Sequence, residues 1–138
     1  MERYFEIEAA NRSLQLVRPI VSDILRKMRE AQQIRESVHK EREKAEIHES
    51  SLLGLLSRAE KLLNDVEYHM KELESIGVLL KDLERGTIDF PCLHDSRIVY
   101  LCWTLGEETI HFWHETDRGF ADRKMVNESF YNASQQVA

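Results

Sequence analysis

Two long runs of apolar residues at helical spacing constrain this fold more than any other feature of the sequence. The first run steps mostly by three and four residues through Leu14, Val17, Val21, Ile24, Met28, Ala31 and Val38. The second run alternates steps of four and three without exception through Leu52, Leu56, Ala59, Leu63, Val66, Met70 and Leu73. This spacing predicts two helices that pack against each other along a coiled-coil-like seam.

The ends of the two helices can also be placed from the sequence. Pro19 lies about three turns into the first helix and is predicted to kink it or to mark where its first turns separate. Gly77 is the expected left-handed residue after the second helix, and Val78 supplies the hydrophobic contact that accompanies such an end. The chain must reverse between residues 40 and 57, so residues from about 8 to 76 are predicted to form an antiparallel helical hairpin.

After Gly77 the helical period stops and the pattern becomes typical of strands. We predict antiparallel strands within residues 78–115, at 78–83, 87–90, 97–105 and 109–115. Pro91 is expected to end the second of these strands, because proline cannot donate a ladder hydrogen bond, and residues 92–96 are expected to form a loop. The predicted fold class is α+β: a long antiparallel two-helix hairpin packed with a small antiparallel β-sheet. We expect a single domain over residues 1–123, followed by a mobile C-terminal tail at 124–138.

The two strongest strands are expected to form a hairpin around Gly106 and Glu107. Glycine at the first central position suits a two-residue type II′ turn, and that turn places Cys102 opposite His111. One face of the sheet then carries an apolar set that should lie on the helices, namely Val99, Leu101, Trp103, Ile110 and Phe112. The other face mixes polar and aromatic side chains, namely Tyr100, Cys102, Thr104, His111, Trp113 and Glu115. We expect either that the C-terminal segment covers this mixed face or that the face binds a ligand.

Composition excludes several classes of protein. The net charge is −6 and the pI is near 5.5, which argues against a dedicated nucleic-acid binder, since such a protein shows a basic stripe. No apolar run approaches the ~18 residues that span a bilayer, and the N-terminus lacks a signal-peptide pattern. Two cysteines do not make a disulfide framework. We therefore expect a cytoplasmic protein with free thiols and with neither nucleic acid nor membrane as a partner.

Several motifs of the strand region carry a resemblance to a known family. They are Lys81-Asp82-Leu83, Asp89-Phe90-Pro91, Val99-Tyr100-Leu101-Cys102-Trp103, Phe112-Trp113-His114-Glu115 and Gly119-Phe120 with Arg123, preceded by Tyr4-Phe5 and Val17-Arg18-Pro19 near the N-terminus. With these motifs the chain resembles an uncharacterised bacterial family, domain of unknown function 2203. The resemblance implies a bacterial protein and implies no activity. Ser96 stands where the family tends to have glycine, and Cys92 and His94 lie outside the pattern.

The mixed face supplies the candidate site. A cysteine and a histidine directly opposite each other have Cβ atoms about 5 Å apart, and such a pair can bind zinc or form an activated thiolate. His114 and Glu115 are added as further candidate ligands at the strand end, so the predicted site for zinc or another divalent metal is Cys102, His111, His114 and Glu115. The alternative is a buried cysteine beside a hydrogen-bonded histidine. Asp89 and Arg123 are expected to form an ion pair that ties the last segment to the sheet.

Two functional hypotheses follow. A further stripe one heptad apart, at Leu55, Leu62, His69 and Ile76, widens the apolar face of the second helix. The second helix is about 40 Å long, and a small sheet covers only ~20 Å of it. The apolar surface that remains is most simply covered by a second copy of the chain. The first hypothesis is therefore a non-enzymatic assembly module that forms a homodimer through the helical hairpin. The alternative is a metal- or small-ligand-binding protein, with an enzyme also possible, that uses the Cys102/His111 face of the sheet.

Overall fold

The computed structural model describes residues 3–131 as two long helices, a five-stranded antiparallel sheet and a short C-terminal helix. The helices are α1 (Ile7–Glu43), α2 (Glu49–Ile76) and α3 (Glu128–Tyr131), and a short 3-10 helix spans Phe120–Asp122. The strands are β1 (Leu79–Asp82), β2 (Thr87–His94), β3 (Arg97–Thr104), β4 (Phe112–Glu115) and β5 (Lys124–Met125), and they neighbour one another in chain order. The predicted α+β fold, a helical hairpin with a small antiparallel sheet, is confirmed.

The helical hairpin has the ends that the sequence predicts. α1 continues through Pro19 as one helix, because proline removes only one backbone donor and the rest of the ladder holds. α2 ends at Gly77, whose φ of 97° is left-handed and whose amide donates to the carbonyls of Leu73 (3.1 Å) and Glu74 (3.0 Å). The reversal occupies residues 44–48, where the Glu41 carboxylate accepts from the His48 amide at 3.1 Å.

Within residues 3–131, no helix is both long and apolar enough to cross a membrane.

The main core lies between α1 and the inner face of the sheet. Trp103 and Leu101 are fully buried there with Val17 and Val21 of α1. Gly86, in the turn before β2, has a φ of 74°, and an added Cβ would lie only 3.0 Å from a methyl carbon of Val21. The prediction that Val99, Leu101 and Trp103 face the helices is therefore consistent with their burial in this core.

β2 is longer than predicted and contains Pro91. It continues to His94 and joins β3 through the two-residue turn Asp95-Ser96, so the predicted loop at 92–96 is wrong. The Pro91 carbonyl accepts from the Phe5 amide at 2.7 Å, so that side of the residue faces away from β3. β1 pairs with β2 only as far as Asp89. The missing amide proton of Pro91 therefore costs no ladder hydrogen bond.

The predicted pairing of β3 with β4 is wrong by one residue. Cys102 pairs with Phe112 instead of His111, and Tyr100 pairs with His114. The reason is the connection, which spans residues 105–111 and not two residues. A shift of one residue exchanges the two faces of a strand. Trp113 therefore joins the inner face opposite Leu101, and Phe112 moves to the outer face.

Part of the predicted C-terminal tail is packed on the rest of the structure. Lys124–Met125 pairs with β4 as β5. Phe130 of α3 is buried, and its ring stacks on His94 with the centroids 3.8 Å apart. Residues 124–131 thus contain two short elements that contact the rest of the structure, while residues 132–138 lie outside the described part of the chain.

The backbone of the Asp95-Ser96 turn is strained, because two residues with a Cβ adopt positive φ angles. Asp95 and Ser96 have φ values of 50° and 62°, as a type I′ hairpin turn requires, and glycine adopts this conformation without the penalty that a Cβ imposes. We expect Ser96→Gly to raise the free energy of unfolding by about 0.5–1 kcal/mol in urea titrations. Ser57→Gly, the same change on an exposed helical turn of α2, should instead lower it by about 0.5–1 kcal/mol. Equal effects at the two positions would contradict the turn assignment.

Candidate functional site

The outer face of the sheet, opposite the helices, holds a cluster of three buried polar side chains. Asp89 of β2 is paired directly with Cys102 of β3, and His114 comes from β4. Their exposed fractions are 2%, 0% and 3%. One ligand atom from each side chain lies within 4.8 Å of the other two. We call these three residues the Asp-Cys-His cluster.

The hydrogen bonds of His114 fix the orientation of its ring and place one proton on Nδ1. Nδ1 lies 2.8 Å from the Glu115 carbonyl oxygen, and Nε2 lies 3.0 Å from Oδ1 of Asp89. A carbonyl oxygen can only accept, so Nδ1 carries a proton. The bond between Nε2 and Asp89 then requires one further proton, which the imidazole and the carboxyl group share. Both ring nitrogens are therefore engaged, and Nε2 points into the cluster.

Burial governs the titration of the other two members. Desolvation raises the pKa of Asp89, and the neighbouring His114 partly opposes that shift. Burial, together with the nearby Asp89 carboxylate, raises the pKa of the Cys102 thiol to about 12. Without a bound cation, Cys102 is thus a thiol at neutral pH. No ring nitrogen of His114 is left to activate it, so the cluster is not a cysteine–histidine nucleophile.

The segment after β4 partly covers the outer face. Arg123 is packed between the rings of Phe112 and Phe120, with its guanidinium carbon 4.1 and 3.9 Å from their centroids. It donates to the Glu107 carboxylate at 3.2 Å, and the same nitrogen lies 4.0 Å from Sγ of Cys102. The predicted ion pair between Asp89 and Arg123 is therefore wrong, because each has a different partner.

A cavity of ≈ 300 Å³ opens between this segment and the sheet, with the Asp-Cys-His cluster in its wall. Thr87, Tyr100, Thr116 and Gly119 also line it. Asp82 and Phe120 line it as well. The cationic side chains of the lining are Lys81 and Arg118, and neither forms an ion pair within residues 3–131. The cluster is thus buried in protein on one side and reachable from a polar cavity on the other.

Comparison with known proteins gives a family and no activity. The family model described as "Uncharacterized conserved protein (DUF2203)" matches residues 3–126. The chain belongs to this family. No curated protein and no solved structure matches it. The three members of the Asp-Cys-His cluster all lie in the motifs that carry the family resemblance, whereas Cys92 and His94 on the inner face do not.

The structure brings together only part of the predicted metal site. Cys102 and His114 lie in the cluster. His111 precedes β4, is exposed, and has its Nε2 3.0 Å from the Thr109 hydroxyl, so it lies outside the cluster. Glu115 points to the other face of β4 and forms an ion pair with Arg97 at 2.6 Å. The structure thus separates these two candidate ligands from Cys102 and His114, because the strand register differs from the predicted one by one residue.

Sequence reasoning missed the role of Asp89 as a member of the site. The sequence pattern that could have placed Asp89 in the cluster is the alternation of polar and apolar residues in β2. Thr87 and Asp89 point to one face of the strand, and Ile88 and Phe90 point to the other. A charged residue in the middle of a buried strand is rare unless it is paired. That pattern would have placed a carboxyl group beside Cys102 once β2 was paired with β3.

Proposed function

We propose that this protein binds a divalent transition metal ion at Asp89, Cys102 and His114, with zinc as the best match. The observation that carries the proposal is the convergence of three buried donors of different kinds, oxygen, sulfur and nitrogen, from three adjacent strands. These are the donor types that zinc takes in proteins. Asp89 and His114 already hydrogen-bond each other, and a bound cation would take the place of that hydrogen bond and add Cys102 as a third ligand.

The distances fit with small side-chain rotations. Zinc bonds of about 2.0–2.3 Å place tetrahedral ligand atoms roughly 3.3–3.8 Å apart. The cluster atoms already lie within 4.8 Å of one another. The Glu115 carbonyl fixes the Nδ1 proton of His114, which leaves Nε2 as the ligand and supplies the outer hydrogen bond that metal-binding histidines usually have. A bound cation would also favour the thiolate of Cys102 over the thiol.

The proposed metal would have an open coordination position. Three protein ligands plus a water or a small molecule is the arrangement of zinc sites that act on or bind ligands, whereas purely structural sites are closed by four protein ligands. The three donors line the ≈ 300 Å³ cavity, so the fourth position faces that space. Cys102 must be reduced to bind metal, and the cytoplasm is the compartment where thiols stay reduced.

Metal titration of tag-free, chelator-stripped protein tests the proposal. We expect one zinc ion per chain in competition with a coloured chelator, and a thiolate-to-metal absorption band when cobalt replaces zinc. Cys102→Ala should abolish that band and weaken zinc binding at least tenfold, as removal of a ligand does. Cys92→Ala is the matched control, because Cys92 is also a buried thiol but lies on the inner face. Equal zinc affinity of the two variants, or no zinc bound by the parent protein, overturns the proposal.

We propose homodimerisation through the helical hairpin as a second function, favoured by a separate surface. A groove of ≈ 420 Å³ runs between the outer parts of α1 and α2, lined by Met28, Ala31, Gln32, Ile34, Arg35, Val38, Arg42, Leu56, Ala59 and Leu63. Leu56 and Leu63 remain 42% and 49% exposed. Contiguous exposed leucines of this kind mark interaction surfaces more often than solvated ones.

The charges beside the groove suit a second copy of this chain. Arg35 and Arg42 line the groove from α1, and Glu60 lies one turn after Leu56 on α2. None of the three forms an ion pair within residues 3–131. In the proposed dimer, a two-fold rotation would cover the leucines of both copies and would bring Arg35 and Arg42 of one copy towards Glu60 of the other.

Sedimentation equilibrium tests the dimer. The parent protein is expected to sediment as a dimer whose population falls on dilution, and Leu56→Glu or Leu63→Glu should give a monomer. Leu16→Glu is the control, because Leu16 is an exposed leucine of α1 outside the groove. Circular dichroism shows that each variant keeps its helices. A parent protein that is monomeric at every concentration, or a monomer produced equally by Leu16→Glu, contradicts the dimer.

A further inference from the structure

A second cavity adjoins the one over the Asp-Cys-His cluster. Its size is ≈ 420 Å³, and its lining consists of Arg3, Tyr4, Glu74, Gly77, Val78, Leu79, Pro91, Ile98, Tyr100 and Thr116. Tyr100 and Thr116 line both cavities. The two spaces therefore border the same two side chains on the outer face, and we call the pair the joint cavity.

The second part of the joint cavity is mainly apolar, and its lining side chains leave much of their apolar surface exposed. Tyr4, Leu79 and Ile98 come from three separate segments of the chain and converge on it, yet each is more than a third exposed. Large apolar side chains that converge on one recess and stay exposed are typical of a surface that binds an apolar group. This part of the joint cavity suits a hydrocarbon chain or a ring.

The first part favours an anion. The carboxylates that line it are already engaged, since Asp82 accepts from the amides of Glu84 and Arg85 and Asp89 bonds His114. Lys81 and Arg118 form no ion pair within the described residues, although the charge of Lys81 also acts on the nearby Asp89 carboxylate. The ammonium group of Lys81 lies 5.5 Å from the centroid of the Tyr100 ring. One of the two unpaired cations thus stands at the junction of the two parts.

We propose that the joint cavity binds a small organic carboxylate with an apolar body. The carboxylate lies in the first part near Lys81 and Arg118, with one oxygen on the open position of the metal, and the body crosses Tyr100 into the apolar part. This inference rests on the proposed metal site, which supplies that coordination position. Cationic side chains and a metal ion together recognise a carboxylate, while the apolar wall selects for the attached body.

Calorimetric titration of the zinc-loaded protein with octanoate tests the inference. We expect octanoate to bind at least tenfold more tightly than acetate, which lacks the body, and than octan-1-ol, which lacks the charge. Lys81→Gln should weaken octanoate binding severalfold. Ile98→Ser should also weaken it severalfold and leave acetate binding and zinc affinity unchanged. Leu93→Ser is the control, because Leu93 is an exposed neighbour of Ile98 in the β2–β3 pair that lines neither part.

The zinc titration is carried out first and without octanoate, so the two proposals fail separately. If zinc binds and octanoate does not, the ligand class is wrong and the metal site stands. If octanoate binds equally well to the Ile98→Ser and Leu93→Ser proteins, it binds elsewhere and the inference is overturned. If zinc does not bind, the metal site fails and the inference fails with it.

Discussion

Replacing Asp89 with alanine is expected to lower the free energy of unfolding by about 3–5 kcal/mol, the cost of breaking a buried charged pair by removing one partner. Asp89 is 2% exposed, and its Oδ1 is the partner of His114 Nε2 at 3.0 Å. Alanine leaves that ring nitrogen buried without a partner and leaves a void beside Cys102. Urea denaturation of the metal-free protein, followed by circular dichroism, measures the change.

Asp89→Asn is the matched control for that prediction. An asparagine amide has the same shape and can donate to an unprotonated Nε2, so the hydrogen bond to His114 survives with both side chains neutral. We expect a loss of only about 1 kcal/mol or less. The same variant should still lose zinc affinity, because a neutral amide is a poorer ligand than a carboxylate. If alanine and asparagine destabilise the protein equally, the hydrogen bond to His114 does not stabilise the fold as the geometry indicates.

The helical half of the fold could be predicted because its information is local. The seams around Val21 and Leu63 repeat every three or four residues, and a repeat of that kind specifies a helix without knowledge of the rest of the chain. The end at Gly77 is equally local, since a left-handed residue and an apolar follower lie next to each other in sequence. The hairpin and its boundaries therefore agree with the structure to within a few residues.

The pairing of β3 with β4 could not be predicted because contacts from distant residues hold the connection. The Gly106 turn exists, and the Trp103 ring nitrogen donates to the Glu107 carbonyl at 2.8 Å. The chain then runs against α1, with the Ile110 amide donating to the Asn11 side chain at 2.8 Å. Asn11 lies 99 residues away in sequence, so no local pattern reports this contact. It lengthens the connection and selects the register.

That register decides the site. In the predicted register, His111 lies opposite Cys102 and His114 points to the other face. In the observed register, Cys102 lies opposite Phe112, and His114 shares the outer face with Cys102. The sequence therefore identified the face of β3 and the neighbouring strand β4, but it placed His111 and Glu115 beside Cys102 on the face where the structure has His114. Alternation within a single strand is reliable, whereas the choice between two registers depends on a connection that tertiary contacts shape.

Removing the Arg123 side chain is expected to expose Cys102 to thiol reagents roughly 30- to 150-fold more often. The stacks on Phe112 and Phe120 and the charged hydrogen bond to Glu107 together stabilise the closed segment by about 2–3 kcal/mol, and each 1.4 kcal/mol is a factor of ten in an opening equilibrium. Cys102 has no exposed surface in the closed state, so its reaction reports the opening of residues 116–123. The measurement is the rate of modification by a thiol-specific disulfide reagent in metal-free protein at mildly alkaline pH.

One further variant, Arg123→Lys, decides whether Arg123 acts through its planar group. The comparison is made in a Cys92→Ala background, so that Cys102 is the only thiol that reacts. Arg123→Lys keeps the charge but cannot stack between two rings while bonding Glu107, so its rate should lie between those of Arg123 and Arg123→Ala. Global unfolding in urea, measured beside each rate, separates local opening from loss of the whole fold. A rate unchanged by Arg123→Ala would mean that other contacts hold residues 116–123 over the Asp-Cys-His cluster.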